Sequence, residues 1–546
     1  MKNIEEMAKK YAIINAVEFG GKANVQAVLG KIIAEDESLK AKIKDVAKIV
    51  AKIVQEVNST PLDELKKEYE KLDVIVEKKQ ESKDLPELPF AQKGKVITAF
   101  PPEPSKYPHI GHAKAALINY MYAKKYDGIF ILRFEDTNPE MAKKEYYDAI
   151  MDGLKWLNIV WDKVDYISDH IEKYYEFAER LLNEKRAYVC LCEQEKIKKF
   201  RMEGIECEHR RQSVEENLNL WKKMFEEFEE GKATLRLRID MKHKNTTMRD
   251  PVIMRIVDKE HVRTGKKYRI WPTYDFGTSV MDGLEGVTHR FRSKEFEMRD
   301  ELQKFIQRIL GFKETYIKEI ARFNLEGVPS SGRIIRQMIA EGKLSGWDDP
   351  RLSTLMALRK RGFLPEAIKE FLLSTGISKA EATFGWEMLE SFNRKHVDKI
   401  ANRYFAVVNP VPIEIIGNLP KIVEEPLHPD YPERGKRKIE VGKNIYISRE
   451  DYDRFFGKTV RLIGLCNVKL SKKAVYEGNE IIQDMPKIQW VSEPFERIKI
   501  LMNDGNIVNM IAEPEIKICE EFVQFIRIGF AKLISREDMF FCFTHK

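Results

Sequence analysis

The chain has 546 residues, 43% of them hydrophobic and 33% charged, with a net charge of only +7. That length suits about three to five domains, and the composition excludes global disorder while permitting, without demanding, RNA binding. The opening Met1-Lys2-Asn3-Ile4-Glu5-Glu6 has no apolar signal core, no stretch reads as a membrane span, and six cysteines are too few for a secreted disulfide scaffold, so a cytoplasmic location without membrane contact is expected.

Residues 1–85 form the first expected domain. Ile13, Ile14 and Val17, then Val25, Val28, Ile32 and Ile33, recur at helical spacing, and Leu39 to Val57 is Lys-rich and amphipathic. Thr60-Pro61 before Asp63 and Glu64 suits a capped helix start with proline in its first turn. The expectation is a small helical bundle with a solvated basic face; the alternative is a module that binds an RNA or protein partner. Lys78 to Pro89, charged and with two prolines, reads as a linker.

The pattern then changes. Val96-Ile97-Thr98-Ala99-Phe100 reads as a strand, a proline-rich loop follows, a helix is expected from about Gly111 to Tyr126, and Gly128 to Phe134 is an apolar run of strand length before another helical stretch. Strand and helix in alternation predict an α/β domain with a parallel sheet. Strand signals return near Val252–Val257, Val287–Phe291 and Tyr316–Phe323. A helix-rich stretch covers about Ile334 to Lys399, and from Tyr404–Ile416 and Lys438–Ile447 the chain is strand-rich to its end.

Two clusters carry chemistry. Pro108-His109-Ile110-Gly111-His112 lies between an expected strand and an expected helix. A helix amino terminus favours phosphate through its unpaired N–H groups and dipole. Gly111 would let a nucleotide approach, and two imidazoles three residues apart can donate to charge developing on phosphate. Alone, the string would read as a surface loop. Cys190-Leu191-Cys192, fourteen intervening residues, then Cys207-Glu208-His209 has the composition of a three-cysteine, one-histidine zinc site. The alternative is a half-buried strand whose cysteines merely pack. Cys466, Cys519 and Cys542 are scattered and read as free thiols.

The histidine string has company. Phe100-Pro101-Pro102-Glu103-Pro104 through His112-Ala113-Lys114-Ala115-Ala116 resembles the nucleotide-binding signature of glutamyl- and glutaminyl-tRNA synthetases, and so does Leu132-Arg133-Phe134-Glu135-Asp136-Thr137-Asn138-Pro139. Tyr274-Asp275-Phe276, Leu284-Glu285-Gly286-Val287-Thr288-His289 and Gly346-Trp347-Asp348-Asp349-Pro350-Arg351 follow in the family's order. The helical leader and His428-Pro429 to Arg437 resemble the archaeal glutamyl branch of these class I enzymes.

The resemblance implies a multidomain α/β protein. Its Rossmann-type catalytic core would occupy 90–185 and 271–325, split by an acceptor-end-binding insertion at 186–270. A helical connector with the ATP-phosphate loop would follow at 326–400, and β-barrels that read the anticodon at 401–546. It implies ATP-dependent activation of glutamate, with Mg²⁺ on the phosphates, and transfer to tRNA, usually with tRNA needed for the first step. Pro102, Pro104, His109, Gly111 and His112 match the ATP-binding segment, and Glu103 falls in the same loop on the amino-acid side. Glu135 matches the position that binds the substrate ammonium, and Tyr274 a further substrate contact. Arg292 falls where glutamyl enzymes place an arginine facing the side-chain carboxylate, which argues against glutaminyl specificity.

Two departures stand out. The family's arginine before Phe-Pro-Pro, a contact of the amino acid, is Ala99 here, with Lys106 nearby in the loop. The phosphate loop reads Val328-Pro329-Ser330-Ser331-Gly332-Arg333-Ile334: Ser330 is kept, lysine is replaced, and Arg333 is expected to supply the cation, with Arg336 as its competitor. These departures motivate the alternative of a non-catalytic tRNA-binding paralogue. Some glutamyl enzymes carry a Cys-x-Cys and Cys-x-His arrangement in the insertion, so zinc held by Cys190, Cys192, Cys207 and His209 would be structural.

Overall fold

Alanine on one helical stripe and valine on another draw three helices together in the first part of the chain: α1 (Lys2–Glu18), α2 (Val25–Glu35) and α3 (Ile43–Ser59). Ala8, Ala12 and Ala16 meet Val28, Ile32, Val46 and Val50 in a buried core. Asn24 starts α2 by accepting the N–H groups of Gln26 and Ala27 at 2.9 and 3.2 Å. Lys48 and Lys52 lie exposed on α3, so the basic face is solvated as expected. The computed structural model describes residues 2–18, 22–35, 39, 43–61, 64–65, 68, 85–329, 331–380 and 382–546. The first part of the linker expected over Lys78–Pro89, and Asp63 in the expected helix start, lie outside the described residues. Residues 1–86 form one unit and 87–546 another.

The second unit begins with β1 (Ile97–Phe100), α4 (Ile110–Lys125), β2 (Ile129–Phe134), α5 (Lys144–Trp156), β3 (Lys163–Tyr166) and α6 (Ile171–Asn183). An antiparallel four-stranded sheet interrupts the pattern: β4 (Ala187–Cys190), β5 (Thr234–Leu237), β6 (Val252–Ile256) and β7 (Ile270–Pro272), with α7 (Gln194–Glu203) and α8 (Val214–Glu226) between β4 and β5. The chain then returns through α9 (Tyr274–Glu285), β8 (His289–Ser293), α10 (Asp300–Ile309) and β9 (Tyr316–Ile320).

The five parallel strands take the order β3-β2-β1-β8-β9. The apolar runs of β1 and β2 fit a sheet covered on both faces. Gly128 lets β2 start against β1, because a Cβ there would lie 2.0 Å from the carbonyl oxygen of Val96. From β1 the order runs outward to β2 on one side and to β8 on the other. Such a point opens a crevice beyond the carboxyl ends of the strands, where α/β sheets bind ligands. Asn119 of α4 ties the join, donating to the Phe291 carbonyl at 3.1 Å and accepting the N–H of the same residue at 3.3 Å.

Helices α11 (Gly332–Ala340), α12 (Leu355–Arg361), α13 (Pro365–Ser374) and α14 (Trp386–Val397) form the connector. Two seven-stranded sheets follow. Asn402–Tyr404 and Ala406–Val408 are nearly continuous in the chain yet stand at opposite edges of one of them, so that sheet curls toward closure like a barrel. The connector grips its last strand: buried Arg361 donates to the Thr544 carbonyl at 2.8 Å, and Asn393 meets His545 at 3.0 Å. Among the described residues no helix is long and apolar enough to cross a membrane.

Candidate active site

Local sequence builds one end of the crevice. His109 is the N-cap of α4, and its Nδ1 accepts the N–H of Gly111 at 3.0 Å, while Nδ1 of His112 accepts the N–H of His109 at 3.1 Å. Both rings are thereby held with the proton on Nε2, their centroids 4.0 Å apart. Burial, helped by the Lys106 charge, pushes His109 down to about 3, and burial drives His112 well below its ordinary value. Both imidazoles are neutral donors at physiological pH.

This corrects the expected anion site. The first backbone N–H groups of α4 are already used: Ile110 donates to the Ser353 carbonyl at 2.9 Å, Gly111 to His109 Nδ1, and His112 and Ala113 to the His109 carbonyl at 2.9 and 3.1 Å. This helix end therefore offers a ligand two Nε2–H groups and a helix dipole, not free backbone. Gly111 is required first by the cap, since a Cβ would lie 2.8 Å from His109 Cε1. The motif Gly346–Arg351 works as a buttress. Asp349 gathers Ser345 and Arg351, Trp347 packs on Tyr107 at 5.3 Å, and Leu355 just beyond donates to the Pro108 carbonyl at 2.9 Å.

Distant segments build the other end. Residues two apart in an extended segment share a face, so Arg133 of β2 and Glu135 just beyond its end stand together, and β8 presents Arg290 and Arg292. Helix α9 answers with Tyr274, Thr278, Asp282 and Glu285. Arg133, fully buried, pairs with Asp282 at 2.8 Å and Glu285 at 2.7 Å, and its nearest approach to Glu135 is 3.8 Å. Arg290 pairs with Asp282 at 2.6 Å and donates to the Tyr274 hydroxyl at 3.3 Å. Glu135 accepts the Thr278 hydroxyl. Burial pushes its carboxyl up to about 7 although Arg290 and Arg133 pull it down. Arg292 donates to Gln303 at 2.7 Å and to the Phe296 carbonyl at 3.3 Å, and pairs with Asp300.

The two ends share one cavity of about 510 Å³, lined by Pro102, Glu103, His109, Gly111 and His112 on one side and Glu135, Tyr274, Arg290 and Arg292 on the other. Lys106 lies on the wall between them, its ammonium pushed below the usual lysine range by burial against the favourable charge of Glu103. Other expected residues fall elsewhere. Pro104 is buried off the wall, its carbonyl accepting the Lys143 N–H at 3.3 Å. Arg333 is exposed on the first turn of α11 and is absent from the wall. Arg336, the competing candidate one turn on, points back and donates to the Ser105 carbonyl at 3.1 Å. Ser330 lies outside the described residues. Sequence reasoning passed over Arg133, Asp282, Glu285, Arg290 and Thr278. The available signal was an arginine inside a strand otherwise buried on both faces, which must have an acidic partner.

In the insertion, Cys190, Cys192, Cys207 and His209 bring their donor atoms within 4.8 Å of one another. Cys190 and Cys207 sulfurs are 3.8 Å apart, and the Cys192 sulfur is 3.5 Å from Nδ1 of His209. Zinc bonds of about 2.3 Å to sulfur and 2.0 Å to nitrogen in a tetrahedron require edges of about 3.8 and 3.5 Å, so the donor set fits zinc. Arg236, fully buried, directs Nη1 at the Cys190 and Cys207 sulfurs from 3.7 and 3.8 Å, a positive charge suited to three thiolates on one Zn²⁺. A groove of about 680 Å³ adjoins the cluster, and Arg255 stands on the walls of both this groove and the cavity. A second gathering, Asp398, His428 and Asp430, has both imidazole nitrogens occupied by backbone, Nε2 on the Asp398 carbonyl and Nδ1 on the Asp430 N–H.

Residues 95–399 match the family "tRNA synthetases class I (E and Q), catalytic domain", and residues 401–486 match its anti-codon binding domain. The chain belongs to the class I tRNA synthetases of the glutamate and glutamine group. Within that group it is similar over its full length to proteins named glutamate–tRNA ligase: 42% identical to that of Pyrococcus furiosus, 43% to that of Pyrococcus abyssi and 42% to that of Nitrosopumilus maritimus, covering 100% of each chain. A crystal structure of a glutamate tRNA ligase from Elizabethkingia meningosepticum in complex with its amino acid is 20% identical, with a TM-score of 0.43 over 56% of this chain and 70% of that one.

Proposed function

We propose that the chain is a glutamate–tRNA ligase: with ATP and Mg²⁺ it activates L-glutamate, then transfers it to the 3′ end of tRNA. The observation that carries this reading is the cavity that joins a neutral histidine pair to an acid and two guanidinium groups on one wall. Positively charged N–H donors match a carboxylate and would leave a neutral amide poorly paired, so glutamate is favoured over glutamine.

The glutamate α-carboxylate attacks the α-phosphorus of ATP and pyrophosphate leaves. The terminal ribose hydroxyl then takes the acyl group and AMP leaves. The carboxylate is already a competent nucleophile, so positioning and electrostatics do most of the work. Nε2–H of His109 and His112 donate to phosphate, and Pro102 and Gly111 shape the nucleotide end. Glu135 receives the ammonium, with Tyr274 and Glu103 on the same wall. Arg292 meets the side-chain carboxylate, exchanging part of its contact with Asp300. The geometry favours Arg336 over Arg333 as the cation that steadies the phosphate loop, because Arg336 holds Ser105. Bound with ATP, Mg²⁺ would supply positive charge to the phosphates.

Cys190, Cys192, Cys207 and His209 would hold a structural zinc that shapes the insertion, where the tRNA acceptor end would lie. The strand-rich region from residue 401 would read the anticodon. A cytoplasmic setting goes with this activity. Pyrophosphate exchange in the presence of tRNA should proceed with glutamate and fail with glutamine. A preference for glutamine, or tRNA binding without exchange, would replace the reading. One zinc per chain is expected by metal analysis of protein purified without added metal, and a metal-free folded protein would remove that part.

A further inference from the structure

We propose that Arg290 is a second guanidinium that binds the side-chain carboxylate of the amino acid beside Arg292, on the strand next to Ala99. This rests on the reading of the cavity as a glutamate site.

Arg292 cannot present a whole fork to a ligand. Its Nη1 is held by Gln303 and its Nη2 by the Phe296 carbonyl and Asp300, and Nε is buried without a hydrogen-bond partner. Arg290 is in a similar state. Nη1 is held by Asp282, Nη2 reaches the Tyr274 hydroxyl at 3.3 Å, and Nε is again buried and unpartnered. Arg290 is 1% and Arg292 6% exposed, and both line the cavity. Buried N–H groups are nearly always paired. Two unpaired guanidinium N–H groups on one wall, from residues sharing one strand face, mark the place of an acceptor with more than one oxygen.

Ala99 leaves β1 without a long side chain beside Arg290. Thr98 of β1 pairs with His289 of β8, so Ala99 and Arg290, one step further on each parallel strand, are lateral neighbours on the same sheet face. Ala99 is fully buried against Ile131 and Val287, with Ile131 opposite it on β2, Arg290 beside it on β8 and Arg133 two residues beyond Ile131. A long side chain at position 99 would run along the face that carries Arg290. The positive charge expected on β1 is thus supplied from β8, and Asp282 steers it by its contact at 2.6 Å.

The test is tRNA-dependent pyrophosphate exchange with glutamate and ATP varied separately, on Arg290→Gln, Arg290→Lys and the double variant Ala99→Arg/Arg290→Val. Loss of a charge-assisted contact predicts a rise of about 10- to 100-fold in glutamate KM for Arg290→Gln, with ATP KM changed less than about threefold. Arg290→Lys keeps a cation for Asp282 but loses the fork, and should still raise glutamate KM. The double variant should recover most of the loss. An unchanged glutamate KM in Arg290→Lys, or in folded Arg290→Gln with a lowered melting temperature, would make Arg290 only a structural partner of Asp282 and overturn the proposal. Arg292→Gln is the control: if it too leaves glutamate KM unchanged, the reading of the cavity fails, whereas a silent Arg290 beside a sensitive Arg292 sinks this inference alone.

Discussion

The two ends of the cavity are built in opposite ways. At the phosphate end, five consecutive residues, Pro108 to His112, cap their own helix and set two tautomers by contacts three residues apart or less. At the amino-acid end, β2, β8 and α9, up to 157 positions apart from Arg133 to Arg290, bring buried arginines against buried acids. A locally built site can lose a side chain and keep the fold. A site built from a buried ion-pair cluster cannot lose one partner without leaving another uncompensated. The first arrangement is mainly about chemistry, and the second joins chemistry to stability.

The largest effect should come from the cluster. Arg133→Met would leave Glu285 without its cation and Asp282 with Arg290 alone, and about 3–5 kcal/mol of stability should be lost, read as a lower denaturant midpoint. A loss below about 1 kcal/mol would erase the distinction between the ends.

His112→Ala is the matching cut at the phosphate end. Removing one preorganised donor should slow adenylate formation by about 10²- to 10³-fold in single-turnover kinetics. Stability should fall by no more than a helix cap is worth, about 0.5–2 kcal/mol. A drop in stability equal to that of Arg133→Met would show that the two ends are not built differently.

A third comparison lies within the phosphate loop. Arg336→Ala should slow activation by about 10- to 100-fold, the worth of one charge-assisted hydrogen bond, and Arg333→Ala by less than about threefold. The reverse order would return the cation role to the exposed Arg333.

The smallest effect separates the ends by pH. Only the ionised form of Glu135 pairs with ammonium, and its carboxyl is pushed up to about 7. The ionised fraction rises with pH through that value, so glutamate KM should fall by about tenfold between pH 6 and pH 8. The histidines are neutral throughout this range, so ATP KM should stay flat. A glutamate KM independent of pH would mean that Glu135 is ionised well below 7 in the free enzyme.

Much of the molecule was legible beforehand. The alternation of strand and helix from Val96 announced a parallel sheet, the spacing of Ile and Val in the leader announced a helical bundle, and His109, His112, Glu135, Tyr274 and Arg292 meet in one cavity. The cysteine cluster was visible as a pattern, and its donors do converge. Arg290 was passed over because nothing in its local sequence separates it from an exposed basic residue. Only the sheet order shows that β8 lies beside β1, where a charge is buried and must be answered. Arg333 was preferred to Arg336 because it is the first basic side chain in the loop segment, whereas helix direction turns Arg336 back to the Ser105 carbonyl.

By itself the sequence determined what short-range physics controls: which segments are strands or helices, where a helix is capped, and which donor types could gather around a metal. Tertiary structure alone decided which charges share a face, which backbone donors of α4 were already used, and which acids sit under Arg133 and Arg290. The physical reason is range. Helical and strand periodicity is set within a few residues, whereas a buried charge is tolerated only through partners that the fold brings from elsewhere in the chain.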